Sequence, residues 1–514
     1  MEAATPAKLG TFSAMSLIVN KIIGTGIYSN PAIIYRYVEG NAALFLGFFI
    51  LGGIIIGCGL MIYLEFAMNL PFTNGGEKNY LLRVCRHWPK GLAGCIYAFS
   101  MVLLGFSSGN AYTFGRYMLY AVSGEEHASE LWVKLIAVLC ITGCTYIHWG
   151  HPNSGTVFFN VLGLIKVLVL VVIILIGLLV AIGWVSTGDA GDSNFDNFWS
   201  FEKSPSVYNL SVALLQVVYS FKGWENANYV LSQVENPITV LTIAAPCAVF
   251  ATTILYFMVV VSYLVVIPKQ EFLHSGVLCA GIFFTKIFGQ SITSRALPIM
   301  IAISNLGNVM VVSYAHSVVN QELACNNYLP WSSVWQKWHA ALLLHWVVSV
   351  IVVVAPPSSE IYEFIVNLYI YPGTWINVAI AAGLVYLRYT PSEHWNTGYQ
   401  EVLAEVVDSD DIRRSSVSSD TPLTPPRRCS VSMTSVVTRN VVTSPLVVIA
   451  IFFVANLFMA LFPYVPPPKQ DTAIPYWMFP TIGTGVLVLG ALFWKYRPGH
   501  PKYEEQYQQQ ELGY

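Results

Sequence analysis

The sequence predicts an all-α integral membrane protein with about 12 transmembrane helices. Three observations carry this. First, the 514 residues are 55% hydrophobic and only 11% charged, whereas soluble domains carry about 25% charged residues. A chain this poor in charge cannot coat a water-facing surface in the ordinary way. Second, apolar runs long enough to cross a bilayer recur along nearly the whole length. Third, two of those runs are broken by glycines and charges at matching places.

The candidate spans are Phe12–Tyr37, Ala42–Leu70, Leu92–Val122, Leu131–Trp149, Thr156–Ile182, Tyr208–Leu231, Thr242–Ile267, Ala296–Val319, Ala340–Val354, Ile361–Leu387, Ser444–Phe462 and Tyr476–Trp494. The ninth is short, and the first and sixth are interrupted. Arg83, Arg86, Lys90, Lys337, Arg388, the arginines between residues 413 and 439, Lys495, Arg497 and Lys502 all fall in loops on one side, while the loops on the other side are poor in Lys and Arg. That bias places both termini in the cytoplasm. No cleavable signal peptide is visible, because the first apolar stretch runs into a polar, glycine-broken segment. Residues 1–11 and 496–514 read as cytoplasmic tails. Residues 12–390 read as a ten-helix core, and residues 443–495 as two further spans. Between them, residues 391–442 read as a disordered cytoplasmic loop, rich in Ser, Thr, Asp, Pro and Arg. Within it Arg413-Arg414-Ser415-Ser416 and Arg427-Arg428-Cys429-Ser430 set basic pairs before serines, either as phosphorylation sites or as chance features of a solvated linker.

The breaks are the informative feature. In SLIVNKIIGTGIYSNP, Gly24-Thr25-Gly26 falls at the middle of the first span. In VVYSFKGWENANYV, Ser220, Lys222, Gly223, Glu225 and Asn226 interrupt the sixth. Neither segment can face lipid, where unpaired backbone groups and charges are costly. The two lie an odd number of spans apart and so run in opposite directions, as in an inverted repeat whose discontinuous helices meet at mid-membrane. A broken helix frees amides at the start of its second half, suited to a carboxylate, and carbonyls at the end of its first half, suited to an ammonium group. Such a pair binds both ends of a zwitterion. Gly483-Thr484-Gly485 repeats the tripeptide in the last span without flanking charges, and reads as helix packing.

Lys166 stands alone in an otherwise apolar run. A lysine at that depth either replaces a bound cation or titrates, since burial favours its neutral form; the bland alternative is a structural lysine held by carbonyls. Either functional use favours a proton-driven or ungated carrier over a sodium-driven one. Arg116 and Lys222 admit snorkelling and local pairing respectively. The histidines are scattered, and most cysteines sit inside apolar runs as small packing residues. No metal site, cofactor motif, catalytic constellation or phosphate-binding loop is present in the sequence. A net charge of −2 points to no nucleic-acid partner.

The segments Ile22-Ile23-Gly24-Thr25-Gly26-Ile27-Tyr28, Leu64-Glu65-Phe66, Asn74-Gly75-Gly76-Glu77, Gly223-Trp224-Glu225-Asn226-Ala227-Asn228-Tyr229 and Glu235-Asn236-Pro237 together resemble the amino acid–polyamine–organocation superfamily. The similarity is to its L-type amino acid transporter branch and, within it, to fungal high-affinity methionine permeases. It covers about residues 12–390. It implies a LeuT-like fold of two five-helix inverted repeats, about residues 12–183 and 208–388, plus two helices. It also implies roles. Ile23, Gly24, Thr25 and Gly26 would hold the substrate carboxylate and backbone region, and Ser107 and Ser108 would line the site. Tyr219, with Phe221 as the near alternative, would be a gate beside Lys222 and Gly223. Lys166 would occupy the position of a sodium ion and serve coupling. The chain departs from the pattern in having Lys222 where the family often has a small residue, and His316-Ser317 where it commonly has a Ser-Arg pair.

The implied function is secondary active import of a neutral L-amino acid, methionine foremost, by alternating access with a proton as co-substrate, across the plasma membrane of a fungal cell. The alternative is an amino acid sensor that signals through the cytoplasmic loop with little net transport. The outer loop SGEEHASE lacks the cysteine that links heteromeric family members to an accessory subunit, so no such partner is expected.

Overall fold

The computed structural model describes residues 10–497, except 71, 73, 125–128, 151, 187–192, 197, 200–203, 230, 232–233, 290–291, 356–360, 394, 396–441 and 469–473. The serine-rich part of the predicted loop, its basic pairs and most of both tails therefore lie outside the described residues. Among the described residues every regular element is helical.

The first predicted span is three helices: α1 (Thr11–Ile22), α2 (Thr25–Tyr28) and α3 (Asn30–Tyr37). It is followed by α4 (Ala42–Asn69), α5 (Glu77–Val84), α6 (Leu92–Leu104), α7 (Ser108–Ser123), α8 (Glu130–Gly150) and α9 (Pro152–Ala181). The sixth predicted span is α10 (Val207–Ser220) and α11 (Asn226–Tyr229). Then α12 (Pro237–Thr239) passes through a π-helical turn at Val240–Ala244 into α13 (Ala245–Val266), and α14 (Lys269–His274), α15 (Cys279–Phe288) and α16 (Ile292–Cys325) follow. The chain continues through α17 (Ser332–Trp335), α18 (Trp338–Val354) and α19 (Ile361–Tyr389) to α20 (Leu446–Leu461) and α21 (Met478–Tyr496).

Among the described residues, 9 helical segments are long and apolar enough to cross a membrane. The other three predicted spans are the two broken ones and the short α18. One break escaped the sequence: α6 and α7 form a single predicted span but part at Gly105–Ser107. His316 Nδ1 donates to the Gly105 carbonyl at 2.7 Å there, and the Ser349 hydroxyl accepts from the Ser107 amide at 3.2 Å.

The packing explains which runs tolerate polarity. Helices α1, α4, α7, α9, α13, α16 and α18 pack against one another, and α10 lies among α3, α4 and α19. The final pair is peripheral, α20 against α4 and α19, α21 against α6 and α19. The lipid-compatible helices show the outward face in their exposed side chains, such as Leu164, Leu168, Leu175 and Leu178 on α9. In contrast, every residue from Asn20 to Tyr35 is buried. Chain without a regular ladder lies in this protein where other helices can complete its hydrogen bonds.

Candidate functional site

The two breaks meet. Gly26 makes the meeting possible: a Cβ there would lie 2.4 Å from the Ser220 Cα, inside any real contact distance. Ser220 Oγ donates to the Gly26 carbonyl at 2.8 Å, and the hydroxyls of Thr25 and Tyr219 are 2.9 Å apart. Gly24 is equally confined, with Asn308 Nδ2 2.0 Å from where its Cβ would be.

At the first break the helix unwinds for Ile23 and Gly24, and its last carbonyls lose their helical partners. Side chains from three other helices replace them. Lys166 of α9 donates to the Asn20 carbonyl at 2.5 Å and the Ile23 carbonyl at 2.7 Å. Asn308 of α16 donates to the carbonyls of Lys21 and Ile23 at 3.1 and 3.3 Å. Tyr256 of α13 donates to Ile22 at 2.6 Å. The sequence suggests that these carbonyls await an ammonium group; instead each has a protein donor. On the amide side, Thr25 N donates to Asn110 Oδ1 at 3.4 Å.

The second break completes itself. Residues 221–225 turn, with Gly223 at φ +130°, a backbone state that disfavours a side chain. Lys222 Nζ pairs with Glu225 Oε1 at 2.5 Å, and the Gly223 amide donates to Glu225 Oε2 at 3.0 Å. Lys222 is therefore engaged locally.

Between the breaks lies a small enclosed cavity. Lys21, Phe106, Asn110, Tyr219, Ile365 and Tyr369 contribute to its wall, and it holds about 10 Å³ of free space, room for about one water molecule. A larger solute needs these side chains to withdraw. Tyr219 stands in this wall, whereas Phe221 is turned toward α4 and α13, its ring 5.1 Å from Tyr256. Ser107 and Ser108 are turned away from it, too. Ser107 Oγ contacts Ser349 Oγ at 3.3 Å, and Ser108 Oγ donates to the Ser349 carbonyl at 2.8 Å. They fasten the start of α7 to α18, and Phe106 and Asn110 on either side of them face the cavity. Ile23 is wholly buried and contributes its carbonyl. So the structure gathers Gly24, Thr25, Gly26, Tyr219 and Gly223 around one meeting point, and places Phe221, Ser107, Ser108 and Lys222 in other contacts.

Two ion pairs join helices around the cavity, α3 to α19 and α5 to α16. Arg36 of α3 pairs with Glu363 of α19 at 2.6 Å, and Tyr37 donates to the same carboxylate. Lys78 of α5 pairs with Glu322 of α16 at 3.1 Å. Arg36 and Lys78 are separated along the chain by the 28 residues of α4, a membrane-length helix. On the same helix as Lys78, Arg83 pairs at 2.6 Å with Glu393, which also draws His87 at 2.7 Å and Arg86 at 3.0 Å. Burial alone would raise the Glu393 carboxyl; hydrogen bonds from Arg83 and His87 and the charges of Arg83 and Arg86 outweigh it and hold it below the usual carboxylate range.

A family model described as amino acid permease matches residues 9–487. The chain belongs to the amino acid permease family. The match runs through both breaks and the cavity wall and ends within the last helix. Among curated relatives, the high-affinity methionine permease of Saccharomyces cerevisiae is 28% identical over 504 residues, 95% of this chain and 78% of that protein. The low-affinity methionine permease of the same yeast is 28% identical over 396 residues, 76% of this chain and 72% of its own. The human Asc-type amino acid transporter 1 is 26% identical over 330 residues, 64% of this chain and 61% of that one. Membership accounts for the integral-membrane architecture and for a small-molecule amino acid as the solute.

Sequence reasoning missed Lys21, Asn110 and Asn308 as members of this candidate site. Lys21 carried a readable signal: it is three residues before Gly24, one helical turn from the break. Asn110 and Asn308 carried none, since a single amide in a span is common.

Proposed function

We propose that this permease imports a neutral L-amino acid, methionine foremost, by alternating access coupled to a proton. The observation that supports this reading is the closed cavity at the meeting of the two breaks. Its wall is aromatic and aliphatic apart from Asn110, the hydroxyl groups and one ammonium. Such a wall accepts an apolar side chain, and the ammonium of Lys21 repels a cationic one. The names of the two yeast relatives favour methionine. In this reading the Arg36–Glu363 lock opens to admit the solute, and the Lys78–Glu322 and Glu393 contacts open to release it. Lys166 supplies the link to protons: losing its charge weakens its hold on the Asn20 and Ile23 carbonyls, and so on the shape of the first break.

The test is uptake of labelled methionine by permease-deficient fungal cells expressing this chain at the plasma membrane, at acidic and neutral outside pH, with unlabelled amino acids as competitors. Saturable uptake that rises at acid pH and is blocked best by methionine and poorly by lysine is the expected result. Uptake insensitive to an imposed proton gradient would remove the coupling. No uptake of any amino acid despite surface expression would remove the transport reading.

A further inference from the structure

We propose that the ammonium of Lys21 is the group that binds a carboxylate of the transported solute, a role the family pattern gives to the backbone after Gly24. This rests on the transport reading above. The argument begins with where charge is available. Helix α2 has 4 residues, too short to build a substantial dipole, because partial charges at a helix end grow from many aligned peptides. Its first amide is already directed at Asn110, and Asn308 fills the space beside Gly24. Lys166 is consumed by two carbonyls and Lys222 by Glu225. These groups leave little positive charge for an incoming anion.

Lys21 is differently placed. It is 5% exposed and lines the cavity. Its stem lies on the second break, with Cγ 2.3 Å from where a Gly223 Cβ would be, so only glycine lets it lie there. Its Nζ stands 5.2 Å from the centre of the Tyr369 ring. Among the described residues no acceptor lies within hydrogen-bond or ion-pair distance of that nitrogen, and the charge of Glu225 acts on it only from farther off. An ammonium has three donors, and the ring face satisfies them only in part. Burying a charge in this condition is costly unless a ligand completes it. The carboxylate that an amino acid brings into the cavity does so, and Thr25 and Tyr219 hydroxyls nearby offer further hydrogen bonds. Placement of Lys21 between the two breaks also makes the solute carboxylate a link between them. The anion comes either from the α-carboxyl group or from an acidic side chain; both present the same chemistry to Lys21.

The experiment uses the purified full-length protein in lipid nanodiscs. It measures displacement of labelled methionine by methionine, methioninamide and glutamate, for the wild type, Lys21→Met and Lys21→Arg. In the wild type methionine displaces well and methioninamide, which lacks the anion, does not. Loss of one charge-assisted hydrogen bond predicts about a tenfold to hundredfold weaker methionine binding in Lys21→Met, with Lys21→Arg closer to wild type. Lys21→Met also loses the preference for methionine over methioninamide. If glutamate binds the wild type and only glutamate is lost in Lys21→Met, the carboxylate read by Lys21 is on the side chain. Wild-type affinity and discrimination in Lys21→Met, with methionine bound normally, would overturn this proposal alone. A wild type that binds no amino acid overturns the transport reading and this one with it.

Discussion

The two breaks look alike in sequence and are built on different principles. At the first, Lys166, Asn308 and Tyr256 reach in from α9, α16 and α13 to take the loose carbonyls. At the second, Lys222, Gly223 and Glu225 satisfy one another within four residues of chain. The first is a fitting in a scaffold: it cannot shift without unpairing groups on three other helices. The second carries its own partners and can move as a unit. If one half of the site moves while the other stays fixed, this difference says which. The solute cavity then lies between a fixed wall and a movable one, with Lys21 projecting from the first onto the second.

The largest effect is expected where the two are pressed together. Gly26→Ala places a methyl group against the Ser220 backbone, and backbone cannot step aside as a flexible side-chain tip can. The two breaks must separate, and the Thr25–Tyr219 and Ser220–Gly26 hydrogen bonds lengthen with them. Uptake normalised to surface protein should fall below detection. Near-normal uptake by this variant would mean that the close contact is dispensable to transport.

A smaller effect distinguishes the two principles directly. Glu225→Gln leaves the half-buried Lys222 ammonium without its nearest anion, at a cost of up to about 3 kcal/mol. Lys222→Met together with Glu225→Gln removes both charges and should recover most of that loss, because neither charge is then left without its nearest partner. Thermal unfolding of the purified variants measures this. A double variant as unstable as the single one would show that the second break depends on charges elsewhere.

How much of this was readable in the sequence follows from the same physics. Glycines and charges inside an apolar run cannot face lipid, so both breaks were legible before any coordinates. The break at Gly105–Ser107 was not, because Gly-Phe-Ser raises no alarm in a hydrophobic span and the Gly105 carbonyl is capped from far along the chain by His316. The choice between Tyr219 and Phe221 depended on how the end of α10 is rotated, and whether Lys222 pairs locally or stands beside the gate depended on where Glu225 reaches. Ser107 and Ser108 match a family pattern by type, yet α7 begins there, and both turn to α18. Type and spacing carried the architecture; side-chain direction required neighbours that are hundreds of residues away.

The smallest effect concerns the fixed break. Lys166→Met removes the donors to the Asn20 and Ile23 carbonyls, but Ile23 keeps Asn308. Each carbonyl then loses one donor, at a cost of about 1–3 kcal/mol, partly offset because a buried ammonium no longer has to be desolvated. The unfolding temperature should therefore drop modestly. No second substitution within the first break restores it, in contrast to the Lys222–Glu225 pair, because the missing donor came from another helix. The same variant separates structure from coupling. If Lys166 carries the proton linkage, Lys166→Met takes up methionine equally at acidic and neutral outside pH. If its pH response matches the wild type while its stability falls, Lys166 is a brace for the first break and the proton is carried elsewhere.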